Sequence, residues 1–365
     1  MARVGQIVPN LGFHDAIARE ALLIDRQLRA AGHATALFAA RHHPRAAAQC
    51  RPLAAYRPGD WEAVILHHST LSGGAELLRG TRGILLYHNI TPPRYFHGVN
   101  PELVAASARG LAQLAELLPA AAAVWADSAF NLAELRAHGV TGGTVVPYLL
   151  ADDHLRTAAP APAAAGEPCI LAVGRIVPNK GYDLLLRALA ELAVPARLVI
   201  VGSDAGAAAY RRRLQDLAVA LGVAARVTWA GECEDAELAD WYARARVLAV
   251  ASEHEGFCVP LVEAMRAGVP VVAMAQPAVE ETLGGSGCVV TRRTPALFAA
   301  ALRAVLTDAA LRTALLAAQR RRADDFALAR TGTIMVAALA AVLADGAARP
   351  AAALRPAPPP PALRR

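Results

Sequence analysis

The chain has 365 residues, 55% of them apolar but only 5% aromatic, and carries 37 basic against 31 acidic side chains for a net charge of +6. At about 100–200 residues per domain, this length predicts two domains, each able to bury its own core, and excludes a chain that is disordered throughout. The mean hydropathy of +0.32 comes mostly from alanine, and uncharged apolar runs such as Ile334 to Ala344 fall short of the ~20 residues that a membrane span needs.

The N-terminus, MARVGQIVPN, enters a strand-like run with no apolar signal core, so the chain is expected to stay in the cytosol. Strands are predicted at Arg3 to Val8, Ala34 to Ala39, Ala63 to His67, Gly83 to His88 and Ala122 to Ala126. Helical periods lie between them at Asp15 to Ala31, Pro101 to Leu118 and Ala129 to His138. Residues 151–168, ADDHLRTAAPAPAAAGEP, mix Pro, Ala and Gly without a sustained period and read as a linker.

Alternation then restarts, with strands Ile170 to Val173, Arg197 to Val201, Val227 to Trp229, Val247 to Ala251 and Val271 to Ala273, and helices from Tyr182, Ala207, Glu237 and Pro260. Two such β/α halves predict an α/β protein of two doubly wound, Rossmann-like domains facing a central cleft, with ligands at the carboxyl ends of the strands. The expected division is 1–150, a linker at 151–168, 169–330, and a terminal helix at 331–346 able to return to the N-terminal domain. The tail 347–365, rich in Pro, Ala and Arg, is predicted to be disordered.

That tail holds four arginines and no acid, so the rest of the chain is only +2 and nucleic acid is not an expected partner. A contact of the tail with anionic lipid at the inner face of the membrane is the alternative to a merely solvated end. The five cysteines form no CxxC pair and are odd in number, which fits reduced thiols and neither a zinc site nor a disulfide framework. The adjacent pairs His42–His43 and His67–His68 cannot share one face of a strand, so no metal site is expected from them. The runs Arg211 to Arg213 and Arg320 to Arg322 read as solvated helix faces.

Two blocks carry chemistry. In SEHEGFCVPLVEAMRAGVPVVA, from Ser252, a buried strand ends, a loop brings Glu255 and Gly256, and a helix opens near Pro260 with Glu263 in its first turn or so. Gly256 allows close approach of the backbone, and the N–H groups of Phe257, Cys258 and Val259 suit an anion. Glu263 could accept hydrogen bonds from the vicinal hydroxyls of a ribose, and Glu255 from another sugar. In VGRIVPNKGYDLLLRAL, from Val173, a strand, a Gly-containing turn and a helix put Arg175 and Lys180 where a diphosphate would be neutralised. Lys180 is the only lysine beside 36 arginines, which suggests that a compact ammonium is required there.

These blocks resemble the nucleotide-sugar half of the retaining glycosyltransferases of family 4, which have the two-domain GT-B fold: Gly-Arg, then Lys-Gly, then two glutamates separated by seven residues. Cys258 departs from the family's usual Gly. ILLYHNITPPRYFHGVNPELV and WADSAFNLAEL extend the resemblance into the first half, with His88 matching the family histidine near the transferred sugar. Ser128 reads as a helix N-cap. In NLGFHDAIAREALLI, His14 stands where Gly is expected, Gly12 is a candidate for the flexible position, and Asp15 remains as N-cap or acceptor contact.

The resemblance implies His88, Arg175, Lys180 and Glu255 as catalytic groups, and Gly174, Arg175, Lys180, Gly256, Phe257, Cys258, Val259 and Glu263 as donor-binding groups. It implies a front-face, metal-independent transfer with no cofactor beyond the nucleoside-diphosphate sugar. The expected donor sugar is mannose-like or glucose-like, as in GDP-mannose or a UDP donor. The expected acceptor is a saccharide or lipid-linked saccharide of cell-surface polysaccharide biosynthesis. A nucleotide-sugar epimerase, a phosphorylase-like enzyme and a non-catalytic nucleotide-sugar-binding partner are the alternatives.

Overall fold

The computed structural model describes residues 1–12, 15–151 and 167–345. The predicted linker lies mostly, and the predicted disordered tail wholly, outside the described residues. The chain divides into two compact units: Met1–Ile90 with Arg109–Pro147 and Gly332–Arg365, and Thr91–Ala108 with Tyr148–Thr331.

The first unit opens with β1 (Arg3–Leu11), α1 (Ala16–Ala30) and β2 (Ala34–His42). It continues through β3 (Arg51–Pro52), β4 (Ala63–His68) and β5 (Arg82–Tyr87). After α2 (Pro101–Ala120), whose first turns group with the second unit, come β6 (Ala123–Ala126), α3 (Ala129–Ala137) and β7 (Thr144–Val145). The sheet is parallel in the order β3-β2-β1-β4-β5-β6-β7. All six residues of β4 are buried, as a strand covered on both faces requires.

Helix α1 begins where the sequence says, because the Asp15 carboxylate accepts from the N–H groups of Ile17 and Ala18. Its inward stripe includes Glu20, Ile24 and Leu28, spaced four apart. Gly12 does not take up a left-handed backbone; a Cβ there would lie 3.1 Å from Asp15 Cβ, so crowding and not flexibility favours glycine.

The second unit runs β8 (Cys169–Val173), α4 (Tyr182–Glu191), β9 (Arg197–Val201), α5 (Ala208–Ala220) and β10 (Val227–Gly231). It goes on through α6 (Asp235–Arg244), β11 (Ala245–Val250), α7 (Val259–Ala267), β12 (Val271–Met274), α8 (Pro277–Leu283) and β13 (Cys288–Val290). Its parallel sheet has the order β10-β9-β8-β11-β12-β13. Apolar clusters around Leu186 and Phe298, and around Leu261 and Val271, fill its two faces. In both sheets the order reverses beside the first strand, between β1 and β4 and between β8 and β11, which makes a switch point in each.

The last described elements are α9 (Pro295–Thr307), α10 (Ala309–Ala323) and α11 (Leu328–Ala344). Among the described residues one helical stretch, Ala309–Ala344, is long and apolar enough to cross a membrane by length and composition. Packing accounts for parts of both helices, since Leu315, Gln319, Met335 and Leu339 are buried.

Three features differ from the sequence expectation. Residues 91–108 group with the second unit, where Phe96 packs on Val177 and Ala207 and Asn100 Nδ2 donates to the Gly206 carbonyl at 2.7 Å. Arg322 is not a solvated face: it donates to the Thr282 and Glu281 carbonyls, pairs with Asp325 and lies over the Phe326 ring. Elements as short as β3, β7, β13 and α8 carry too few residues to show a period, and were not expected.

Candidate functional site

The switch point of the second sheet collects both chemical blocks. Strand β8 ends at Val173 and the chain turns through Gly174, with φ +146, to an exposed Arg175. A short turn, Pro178–Lys180, leads to Gly181 at φ +66, and α4 begins. Gly181 is dictated by sterics as well as by φ: a Cβ there would lie 2.2 Å from the Ala251 carbonyl oxygen.

That approach brings the Lys180 turn onto the loop after β11. Lys180 Nζ and Glu255 Oε1 form an ion pair at 2.7 Å, with side chains 17% and 9% exposed. Asn179, a residue that the sequence did not single out, stitches the two segments together. Its side-chain N–H donates to the His254 carbonyl at 3.1 Å, and its own carbonyl accepts from Glu253 N–H at 2.7 Å. Val173, Lys180, Tyr182, Ser252, Glu255 and Cys258 line a cleft at this point.

Helix α7 begins at Val259, and Cys258, its N-cap, offers no side-chain hydrogen bond to the helix start. The N-terminal end therefore keeps its partial positive charge available to an anion. Cys258 takes φ +71, the conformation in which glycine is at home, and burial pushes its thiol well above the ordinary value, with Glu255 adding to the shift. The Phe257 ring serves packing, stacked at 5.6 Å on Tyr148 and edge-on to Phe326 at 5.4 Å.

Glu263 lies one turn deeper in α7 than a first-turn position and is 4% exposed. It accepts from the Tyr242 hydroxyl at 2.8 Å, so one oxygen is fixed by α6. Burial, then the Glu263 charge, pushes the Tyr242 hydroxyl well above its usual value and keeps it a donor.

The first unit carries its own polar cluster at the strand ends. Strand β5 stops at Tyr87, one residue short of the expectation, and His88 follows. Asn89, at φ +70, is held there by Asn131, to whose Oδ1 it donates at 3.0 Å. The His88 ring is buried, with Nδ1 2.9 Å from Asp127 and 3.4 Å from Glu20, and Nε2 2.9 Å from His67 Nδ1. Burial alone would lower its pKa, but Asp127, then Glu20 and Asp15, raise it to about 9, so the ring is a cation at neutral pH.

His67 is pushed well below its usual value by burial and by the neighbouring His88 charge, and is neutral. The network then assigns the protons. His88 Nε2–H donates to His67 Nδ1, His67 Nε2–H donates to Gln6 Oε1 at 3.1 Å, and Gln6 Nε2 donates to the Ala21 carbonyl at 3.1 Å. The three groups Glu20, His88 and Asp127 bring ligand-type atoms within 4.8 Å of one another. The His88 proton places positive charge between the two carboxylates.

His68 turns to the opposite face, as the alternation of a strand requires. Burial lowers it to about 4, so its Nε2–H donates to the Gly110 carbonyl at 3.0 Å and its Nδ1 accepts from the Ser72 hydroxyl at 2.8 Å. Ser128 caps α3, its hydroxyl accepting from Asn131 N–H at 3.1 Å.

The structure thus brings Gly174, Lys180, Glu255 and Cys258 together at one switch point, with Glu263 behind them on α7 and Arg175 exposed beside Gly174. His88 belongs to a separate cluster in the other unit. Glu20, His67, Asp127 and Asn179 were missed as partners. One signal was available: Glu20 is a charged residue on the otherwise apolar stripe of α1.

The family model of "Glycosyl transferases group 1" matches residues 156–322. A D-inositol 3-phosphate glycosyltransferase 1 of Catenulispora acidiphila is 32% identical over 283 residues, covering 71% of this chain and 67% of that relative. A D-inositol 3-phosphate glycosyltransferase of Kineococcus radiotolerans is 38% identical over 205 residues, 48% of this chain and 47% of the relative. The chain thus spans two thirds of one of these relatives and about half of the other.

Among solved structures, sucrose-phosphate synthase from Thermosynechococcus elongatus superposes with a TM-score of 0.76 at 21% identity, covering 94% of this chain and all of that one. Anabaena HepE, solved in complex with UDP and glucose, gives 0.73 at 19% identity over 93% and 100% of the two chains. The parallel double-sheet architecture is therefore that of the GT-B enzymes. With a motif set, a family model and a relative of this coverage in agreement, the chain belongs to the family 4 glycosyltransferases.

Proposed function

We propose that this glycosyltransferase moves a hexose from a nucleoside-diphosphate donor to an acceptor hydroxyl with retention at the anomeric carbon and without a metal ion. The observation that carries the reading is the Lys180–Glu255 pair at the switch point beside the uncapped start of α7. A leaving diphosphate develops negative charge, and preorganised positive charge aimed at it is an effective form of catalysis. Lys180, Arg175 and the N–H groups of Phe257, Cys258 and Val259 supply it. Glu263 takes the ribose hydroxyls, while Glu255 and His88 position the transferred sugar. Gly174 and Gly256 let the backbone approach the donor. In the front-face route, a donor phosphate oxygen accepts the acceptor's proton.

A glucose-like or mannose-like donor and a saccharide or lipid-linked acceptor remain our reading of the substrates, in the cytosol and with the arginine-bearing tail able to meet anionic lipid. The names of the curated relatives support a second acceptor class, a phosphorylated polyol such as D-inositol 3-phosphate.

The test is a donor and acceptor matrix. UDP-glucose, UDP-N-acetylglucosamine, GDP-mannose and dTDP-rhamnose are each incubated with D-inositol 3-phosphate or with oligosaccharides, and nucleoside diphosphate release and product anomeric configuration are recorded by NMR. A product with the anomeric configuration of its donor, unaffected by EDTA, is expected. Inversion, or loss of turnover to EDTA that Mg²⁺ or Mn²⁺ restores, overturns the mechanism. Release of an epimerised nucleotide sugar with no transfer overturns the reading altogether.

A further inference from the structure

Residues 91–108, which group with the second unit, bring to its switch-point loops a cation that the sequence reading left without a role. Pro92 and Pro93 fix the backbone as the segment enters the short helical turn Pro93–Phe96, and this turn packs against the Pro178–Lys180 turn. Phe96 is buried on Val177, three residues before Lys180. Beyond the turn, Arg213 Nη2 donates to the Gly98 carbonyl at 2.9 Å and Asn100 Nδ2 to the Gly206 carbonyl at 2.7 Å, so the segment is fastened within the same unit.

Tyr95 reaches the second loop. Its hydroxyl donates to the Glu253 carbonyl at 3.4 Å, and its ring centroid lies 6.1 Å from that of His254, the residue before Glu255. One turn therefore touches both segments that carry the Lys180–Glu255 pair.

On that turn the Arg94 guanidinium lies over the Tyr95 ring, 4.9 Å from its centroid. Arg94 is exposed and makes no ion pair among the described residues. Glu253, whose carbonyl Tyr95 touches, has its carboxylate on Arg293 at 3.0 Å, and Arg293 also holds Asp183 at 3.1 Å. Lys180 must leave Glu255 to meet an anion, whereas Arg94 gives up no ion pair. A guanidinium laid on an aromatic face is oriented before it binds, and its fork of N–H groups matches two oxygens of a phosphate.

We propose that Arg94 is a further phosphate-binding residue of the second unit, placed by Tyr95 and Phe96 beside the Lys180 turn and the Glu255 loop. This rests on the reading of those two segments as the donor site. The ligand is a phosphate oxyanion, and two substrates of the proposed reaction carry one: the diphosphate of the donor, and a phosphorylated acceptor such as D-inositol 3-phosphate. The contact is a charge-assisted hydrogen bond that moves no proton and breaks no covalent bond.

The experiment is isothermal titration of the full chain with UDP, with GDP, and with D-inositol 3-phosphate in the presence of UDP. It compares wild type, Arg94→Ala and Arg303→Ala, the last an exposed arginine of α9 outside both loops. Arg94→Ala should weaken binding of a phosphate ligand by about tenfold or more, the scale of a hydrogen bond between charged groups, with the urea midpoint unmoved. Loss of UDP and GDP affinity assigns Arg94 to the donor diphosphate; loss of D-inositol 3-phosphate affinity alone assigns it to the acceptor. Tyr95→Leu, which removes the ring beneath the guanidinium, should give a smaller loss for the same ligand. Unchanged affinities in Arg94→Ala overturn the proposal alone, as does an equal loss in Arg303→Ala, which is a general effect of charge. A wild type that binds none of the three ligands overturns the donor-site reading and this proposal with it.

Discussion

Lys180 and Glu255, 75 residues apart in the chain, are bonded to each other at 2.7 Å. In the proposed function each group meets a different part of the donor, the ammonium the diphosphate and the carboxylate the sugar. The pair neutralises two partly buried charges, so removing either group leaves the other without its counter-charge.

Replacing Lys180 by Ala removes the partner of a buried carboxylate and, in the proposed function, the contact to the diphosphate. We expect kcat to fall by about 10²–10³-fold, the scale for deleting one preorganised donor. Arg365→Ala, in the tail, should leave turnover unchanged. Comparable losses in steady-state assays of the two variants would overturn the assignment.

Tyr242→Phe deletes the hydroxyl that fixes one Glu263 oxygen and leaves the ring in the core. The expected result is a rise in donor KM of about 5–30-fold, equivalent to ~1–2 kcal/mol for a hydrogen bond to a charged group, with kcat changed less. Isothermal titration with UDP and GDP checks it; unchanged affinity for both would mean that Glu263 does not hold the ribose.

Cys258 tests the helix start. A non-glycine residue in the left-handed region costs about 1–2 kcal/mol, and removing a small buried side chain costs about the same. Cys258→Gly should therefore shift stability by less than ~1 kcal/mol. Cys258→Val, β-branched at the same φ, should destabilise by more than ~2 kcal/mol. Urea unfolding of both variants decides, since burial alone would rank valine above glycine.

Three histidines set the pH dependence of stability. His88, raised to about 9, binds its proton in the folded state up to that value, whereas the unfolded chain releases it near ~6.5. Its contribution, about 3 kcal/mol, is present below ~6.5 and is lost as pH rises toward 9. His67 and His68 are lowered, so below ~6.5 the unfolded chain binds protons that the folded state refuses, and stability falls again. Denaturant midpoints should peak between about pH 6 and 7, and His88→Gln should flatten the alkaline side. A wild-type profile still rising from pH 7 to 9 would contradict this.

What could be read from the sequence was local. The two α/β halves, the N-caps Asp15 and Ser128, and the placement of Lys180 and Glu255 at strand ends each follow from one strand, one loop and one helix start. The partners of those residues did not follow, because they come from distant segments: His67 meets Gln6 across 61 residues, and Asn179 meets His254 across 75. His88 was identified, but not the two acids that charge it. Arg322 was misread because helical periodicity cannot distinguish an arginine in water from one that ties a helix to neighbouring carbonyls.

The grouping of residues 91–108 with the later half of the chain bears on how this enzyme can be recombined. A chimera joined in the 151–168 region would separate Phe96 from its seat on Val177 and Ala207, and Asn100 from Gly206. It would also leave α11 attached to the wrong parent. A working exchange of donor specificity needs four junctions, near residues 90, 108, 147 and 331, so that the transplanted body carries its own inserted segment and leaves the terminal helix behind.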